Sequence, residues 1–420
     1  MTAARGERTG AQPAVKDWPE TLDWYRKCAK SQPQNANAWF NLGFACNKLA
    51  HYDEAIEAYR RAIRIDHKFA KAWNDLALVY RNLNRYDDAI EAYRRAIRID
   101  LKFAHAWNNL GATYCECNRP NDAIEAYRQA IRIDLEFAQA WNNLGVTYGK
   151  QGRHNDAIEA LRQSIRIQPK YVCAWHNLGI IWGLLGRDDD AIEAYRQALR
   201  IDPKFAKAWN NLGVLYGKRN RSDDAIEAYR KALQIDPEYA FAWHNLGITY
   251  GNLDRHNDAI EAYRQAIRID PQFARAWHDL ALTYGRLRRY EDAIEAYRQT
   301  ILVDPENGYA WNNLGVTYDE IRRHSDAIEA YRRAVRIHPE FADAWNNLGA
   351  AYEELKSHEE AIGAYRQSLR IRPEHAATWK AIGLAHYLSG NWTAALDAVR
   401  ELRRLDPAKA DRLFNRILPR

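Results

Sequence analysis

The sequence predicts an all-α protein, a solenoid of 34-residue helical hairpins, and three observations predict it. Eleven tryptophans (Trp39, Trp73, Trp107, Trp141, Trp175, Trp209, Trp243, Trp277, Trp311, Trp345 and Trp379) stand 34 residues apart with no slip in register. The apolar residues between them recur at helical rather than strand spacing. Polar, turn-like segments return in phase with both. Residues 36–409 are thereby committed to eleven repeats, which leaves little chain for a separate catalytic domain.

The repeat 206–239 shows why each element forms. Trp209, Leu212, Gly213 and Tyr216 make one stripe of a helix, and Ala225, Ile226, Tyr229, Ala232 and Leu233 make a second. Lys218 to Asp223 is polar and turn-like, and Pro237 closes the second helix before the next repeat opens. Gly213 and Ala225 are small residues on large-residue stripes, so the two helices can approach closely. Each Trp is expected as a buried knob between helices.

These residues, in this order and period, resemble the tetratricopeptide repeat, whose Trp, Leu, Gly, Tyr, Ala, aromatic and Pro pattern falls on Trp209, Leu212, Gly213, Tyr216, Ala225, Tyr229 and Pro237. Departures are local. His67, Leu101 and Leu135 replace the closing proline, Leu161 the second-helix aromatic, and Cys46, Trp182 and His386 the first-helix tyrosine. The resemblance implies a right-handed superhelix whose first helices line a concave groove for extended peptides, and a non-catalytic, protein-binding role.

At the ends, residues 17–35 read as a half repeat equivalent to a second helix, with Leu22, Tyr25 and Pro33 in phase. Residues 410–420 read as a capping helix with Leu413, Phe414, Ile417 and Leu418 on one face. Residues 1–16, polar and rich in small residues, read as a disordered tail.

Composition mostly excludes. No apolar run is long enough to span a membrane, and no apolar leader precedes the array, so the expected setting is cytoplasmic. Five scattered cysteines fit reduced thiols. The net charge of +6 comes from the ends: 61 basic residues less the fourteen in 1–35 and 376–420 leave 47, and 55 acidic residues less eight also leave 47. A nucleic-acid solenoid would carry its basic excess along the array, so no nucleic-acid partner is expected. No phosphate loop, zinc-protease helix or nucleophile elbow occurs, and neither enzyme activity, cofactor nor metal is expected.

Comparing the repeats with one another separates two faces. AIEAYR stands unaltered in eight of eleven second helices, which reads as a solvated ladder of weak charge pairs. The first helices vary more. Two residues before the Trp, the repeats carry ten residue types in eleven positions, from Asn37 through Phe241, Arg275 and Tyr309 to Ala377.

Three features of the first helices stand out as a candidate peptide groove. Two residues after the Trp stands Asn41, Asn109, Asn143, Asn177, Asn211, Asn245, Asn313 or Asn347, replaced by Asp75, Asp279 and Ala381 in the other three repeats; Asn142 and Asn210 are among those that add a second amide one residue earlier. An amide both donates and accepts, which suits peptide groups of any sequence. The array resembles the asparagine ladder of O-linked N-acetylglucosamine transferases. The competing reading is that each Asn only braces the backbone of the neighbouring repeat.

Gly149, Gly183, Gly217, Gly251 and Gly285 follow the first-helix aromatic in five consecutive repeats, each at about 1 kcal/mol relative to Ala. They read either as a floor that a ligand backbone approaches or as packing. Lys71, Arg81, Lys150, Lys207, Lys218, Arg275 and Arg286 make the middle basic, with Glu116 opposed, while Asp319, Glu320, Asp343, Glu353 and Glu354 make repeats nine and ten acidic. Repeat five is apolar through Cys173, Ile180, Gly183 and Leu184, beside Trp182. The chaperone carboxylate clamp of the family is absent, since the residue four beyond the one after the Trp is aliphatic, as Val146, Ile180 and Val214 are. His176, His244 and His278 read as neutral hydrogen-bonders standing in for Asn. The expected function is an adaptor that binds an extended protein segment, with a self-assembling homo-oligomer stacked through its terminal helices as the alternative.

Overall fold

A computed structural model describes residues 18–418; the tail expected at 1–16 lies outside the described residues. Among the described residues there are 24 helices and no strand, from Trp18–Ser31 to Pro407–Ile417, so the protein is an all-α solenoid of helical hairpins. The chain divides into two compact bodies, Met1–Pro203 and Lys204–Arg420, each described by itself.

Every repeat is a hairpin like that of Ala206–Lys218 with Ser222–Ile235. Its tight turn comes from one left-handed residue, Asn220 (φ 56°), with Arg221 N–H donating to Tyr216 O at 2.9 Å and Asn220 N–H to Gly217 O at 3.0 Å. The same left-handed position holds Gly152, Gly186 and Gly390, yet also Arg288, Arg322 and Lys356, for which that conformation is strained.

The close approach of the two helices is steric. A Cβ on Gly213 would lie 2.7 Å from the Tyr229 ring, and on Gly349 2.5 Å from the Tyr365 ring. Tyr59, Tyr93 and Tyr331 are all but fully buried beneath this contact. Leu161, where the aromatic is missing, fills the same space at 2.7 Å from the Gly145 Cβ position.

Adjacent repeats are also stapled by a bond the sequence reading missed. The arginine that ends AIEAYR donates to the first-helix tyrosine hydroxyl of the next repeat: Arg60 to Tyr80 at 2.9 Å, Arg128 to Tyr148 at 2.9 Å, Arg230 to Tyr250 at 3.0 Å and Arg298 to Tyr318 at 3.1 Å. The turn arginine stacks on the same ring, Arg153 over Tyr148 at 4.2 Å and Arg255 over Tyr250 at 4.4 Å. That arginine therefore joins repeats and is not merely part of a solvated charge ladder.

The tryptophans also differ from expectation. All eleven are half-buried rather than enclosed knobs. The indole N–H donates to the carbonyl six residues earlier, Trp175 to Pro169 at 2.9 Å and Trp141 to Leu135 at 3.2 Å, so the closing position needs only its C=O and tolerates Leu. One indole face is left at an outer groove between successive second helices. These grooves, with volumes of about 300 to 510 Å³, are floored by Trp73, Trp107, Trp141 or Trp243.

Candidate functional site: the amide-lined face of the first helices

With the Trp, Leu, Gly and Tyr stripe turned toward the second helices, the residues one and two after each Trp fall on the opposite side of the first helix. The first of these is buried in seven repeats, as Asn74, Asn108, Asn142, Asn210 and Asn312 are, half-buried at Phe40, His278 and Asn346 and exposed at Lys380, and the second is half-buried, except for the exposed Asn41.

The structure joins these amides into chains. Asn109 Nδ2 donates to Asn74 Oδ1 at 3.1 Å, Asn143 to Asn108 at 3.0 Å and Asn177 to Asn142 at 2.9 Å, each across one repeat boundary. Asn245 to Asn210 at 3.0 Å and Asn347 to Asn312 at 3.1 Å repeat the bond in the second body. Within a repeat, Asn142 Nδ2 donates to Asn143 Oδ1 at 3.3 Å, Asn210 to Asn211 at 3.2 Å and Asn312 to Asn313 at 3.2 Å. The ladder thus braces the repeats through side chains, not through backbone. A primary amide has two N–H groups and two lone pairs, so Asn143 spends one donor and one acceptor and keeps one of each.

Two repeats replace the ladder amide with aspartate, Asp75 and Asp279. Phe40 precedes Asp75 in the adjoining repeat and offers no acceptor, and Asn74 Nδ2 donates to Asp75 Oδ1 at 2.8 Å. At Asp279, His244 Nε2 lies 2.8 Å from Oδ2 and His278 Nδ1 3.5 Å from Oδ1. Burial raises the Asp75 carboxyl, which the Asn74 bond only partly offsets. Burial would raise Asp279 too, but the His244 and His278 hydrogen bonds prevail and hold it at about 2. These three side chains are no metal centre: among the described residues no three His, Cys, Asp or Glu are placed to hold an ion.

The charges are not balanced alike. Lys150, Lys207, Lys218, Arg275 and Arg286 are exposed and make no ion pair among the described residues, whereas Arg81 meets Glu116 at 3.2 Å. The acidic set is engaged. Asp343 takes Arg372 at 2.9 Å, Glu353 takes His358 at 3.2 Å, Glu354 takes Arg322 at 3.6 Å, and Asp319 accepts from His324 at 2.9 Å and Tyr331 at 2.9 Å.

The glycines split. A Cβ on Gly149 would meet Ile181 Cδ1, the end of a side chain that must shift to admit it. Around Gly183, Gly217 and Gly285 nothing lies within 4 Å, and Gly251 would meet only the Tyr263 hydroxyl at 3.9 Å. Of the repeat-five residues, Leu184 is 65% exposed and Cys173 exposed, while Trp182 is buried in the packing. Phe241, 57% exposed, and Tyr309, 62% exposed, flank Arg275 at the variable position two before the Trp. Sequence variation marked that position without showing that its aromatics stand open.

Comparison with known proteins agrees in kind. Tetratricopeptide repeat models match residues 36–69, 70–103, 111–152, 136–204, 317–376 and 364–410. The model of the Cilia and flagella-associated protein 70 C-terminal domain matches 171–309. No curated protein matches. Similar solved structures include MamA, 30% identical over 39% of this chain and 96% of that one (TM-score 0.36). A second MamA structure, also 30% identical, covers 41% and 93% (TM-score 0.36). The APC/C hetero-tetramer Cut9-Hcn1 is 18% identical over 96% and 93% (TM-score 0.43).

Proposed function

We propose a function from the premise that this chain belongs to the tetratricopeptide repeat family: it is a protein-interaction scaffold that holds an extended partner segment against its first helices. The observation that carries the reading is the row of half-buried amides, of which Asn143 keeps one donor and one acceptor, beside lysines and arginines that no acid among the described residues neutralises.

Peptide backbone groups pair with Asn109, Asn143 and Asn177 in one body and, separately, with Asn245, Asn313 and Asn347 in the other. Acidic side chains of the partner meet Lys150, Lys207, Lys218, Arg275 and Arg286. The acidic end contributes less, because Asp343, Glu353 and Glu354 already hold Arg372, His358 and Arg322. Gly217 and Gly285, with open space at the Cβ position, allow a backbone to come close.

The test is charge reversal. The variant Lys207→Glu, Lys218→Glu, Arg275→Glu should weaken binding of an acidic peptide selected from a random pool by at least about tenfold, corresponding to about 1.4 kcal/mol, with a reduced salt dependence. Unchanged affinity would remove the reading.

A second reading, self-assembly, is favoured by the exposed Leu388, Trp392, Leu396 and Leu405 in the last hairpin. Light scattering over a concentration series decides it, and a concentration-independent monomer excludes it.

A further inference from the structure

We propose that Asp279 gives the amide chain of repeats eight to ten a fixed direction, so that an extended polypeptide lies along those repeats in one orientation only. The inference rests on the peptide-groove reading above and adds a determinant of orientation to it.

A carboxylate only accepts hydrogen bonds, so it dictates the orientation of whatever touches it. His278 must present Nδ1–H to Asp279 Oδ1, at 3.5 Å, and its Nε2 is then an acceptor. Asn313 therefore turns Nδ2 to His278 Nε2, at 3.3 Å, and its Oδ1 is left to accept from Asn312 Nδ2, at 3.2 Å. Asn312 Oδ1 in turn accepts from Asn347 Nδ2, at 3.1 Å. Each link follows from the one before. From Asn347 down to Asp279 the bonds between repeats, Asn347 to Asn312 and Asn313 to His278, both donate toward the N-terminal side, and the bonds within a repeat, Asn312 to Asn313 and His278 to Asp279, connect them.

From the other side His244 gives Nε2–H to Asp279 Oδ2 at 2.8 Å, so the same carboxylate holds two histidines in opposite tautomers. The first body carries the motif independently: Asn109 donates to Asn74 at 3.1 Å and Asn74 to Asp75 at 2.8 Å, again ending on a carboxylate.

The consequence for a ligand is geometric. In a chain of one direction, each half-buried amide sets its Nδ2 and its Oδ1 in the same order along the array. An extended residue that pairs with such an amide offers its N–H and C=O in the order of its own chain direction. Only one direction matches every amide. An array of freely flipping amides would accept both.

The experiment uses the full-length chain and dodecapeptides selected from a random pool, each prepared with a photoreactive benzophenone at either its N- or its C-terminus. Crosslink sites are mapped within 274–354. In the wild type the two labels should mark opposite ends of that segment. In Asp279→Asn, which keeps the shape but removes the acceptor-only group, each label should mark both ends. His278→Asn restores the arrangement seen at Asn74 and Asp75 and should keep the wild-type pattern. Should Asp279→Asn be unfolded by circular dichroism, His278→Phe cuts the chain one link later and carries the same expectation. A single orientation that survives both Asp279→Asn and His278→Phe overturns the inference, as does a wild type that binds both ways. A wild type with no crosslink inside 274–354 instead overturns the groove reading itself.

Discussion

Asp279 Oδ2 accepts from His244 Nε2 at 2.8 Å across the boundary between two repeats, and with His278 this holds the Asp279 carboxyl at about 2, although burial alone would raise it. A carboxyl lowered on folding stabilises the protein above its unfolded value near 4, and that stability is lost as pH falls through 2. Asp279→Asn is therefore expected to lower the urea midpoint at neutral pH by the equivalent of about 2 kcal/mol, with the gap to wild type closing near pH 2. Asp75 has the opposite sign: its raised carboxyl costs stability once ionised, and the cost is relieved on acidification. Asp75→Asn should be neutral or stabilising at pH 7. Equal loss from both variants at pH 7 would contradict this account of the two carboxylates.

The arginine staple between repeats should be separable from surface charge. Arg230→Ala and Tyr250→Phe each remove the 3.0 Å bond, and each is expected to cost about 1 kcal/mol. A double-mutant cycle should return a coupling of the same size, and additive losses would show that the bond contributes nothing.

The two glycine positions of a first helix should respond oppositely. Gly213→Val drives a branched side chain into the Tyr229 ring, 2.7 Å from the Cβ position, and is expected to cost about 3 kcal/mol. Gly217→Ala has open space and should gain up to about 1 kcal/mol of helix stability. If a peptide backbone approaches there, the same variant loses peptide affinity while gaining stability. Denaturant midpoints and titration of one selected peptide check both.

Lys356 sits at φ 59°, where Gly390 occupies the equivalent turn of the next repeat. Lys356→Gly should raise the melting temperature by relieving about 1 kcal/mol of left-handed strain, and a lowered one would contradict the strain assignment.

Fold was far more legible in the sequence than site. Period and stripe show directly in Trp209, Leu212, Gly213, Tyr216 and Tyr229, because each contact within a repeat recurs at fixed spacing. Contacts between repeats are harder to see, since their partners lie 20 or 35 residues apart and on different helices. Arg230 with Tyr250 and Asn245 with Asn210 are of that kind. The tryptophans misled for a related reason: a large aromatic at a fixed period reads as core, although one indole face remains at the outer groove. The replacement of Asn by Asp at positions 75 and 279 is visible in the sequence without its reason. Its meaning lies in the preceding repeats, where Phe40 offers no acceptor to position 75 and His244 Nε2 donates to Asp279 Oδ2 at 2.8 Å.

The central claim is that a partner segment lies on the first helices and not in the outer grooves. Hydroxyl-radical footprinting of the full-length protein, with and without a selected dodecapeptide, tests it most directly because the two faces carry different reactive aromatics. Phe241 and Tyr309 stand open beside Arg275, while Trp73, Trp107, Trp141 and Trp243 floor the outer grooves. Protection of Phe241 and Tyr309 with the four tryptophans unchanged is the predicted result. Protection of those tryptophans with Phe241 and Tyr309 unchanged would contradict it.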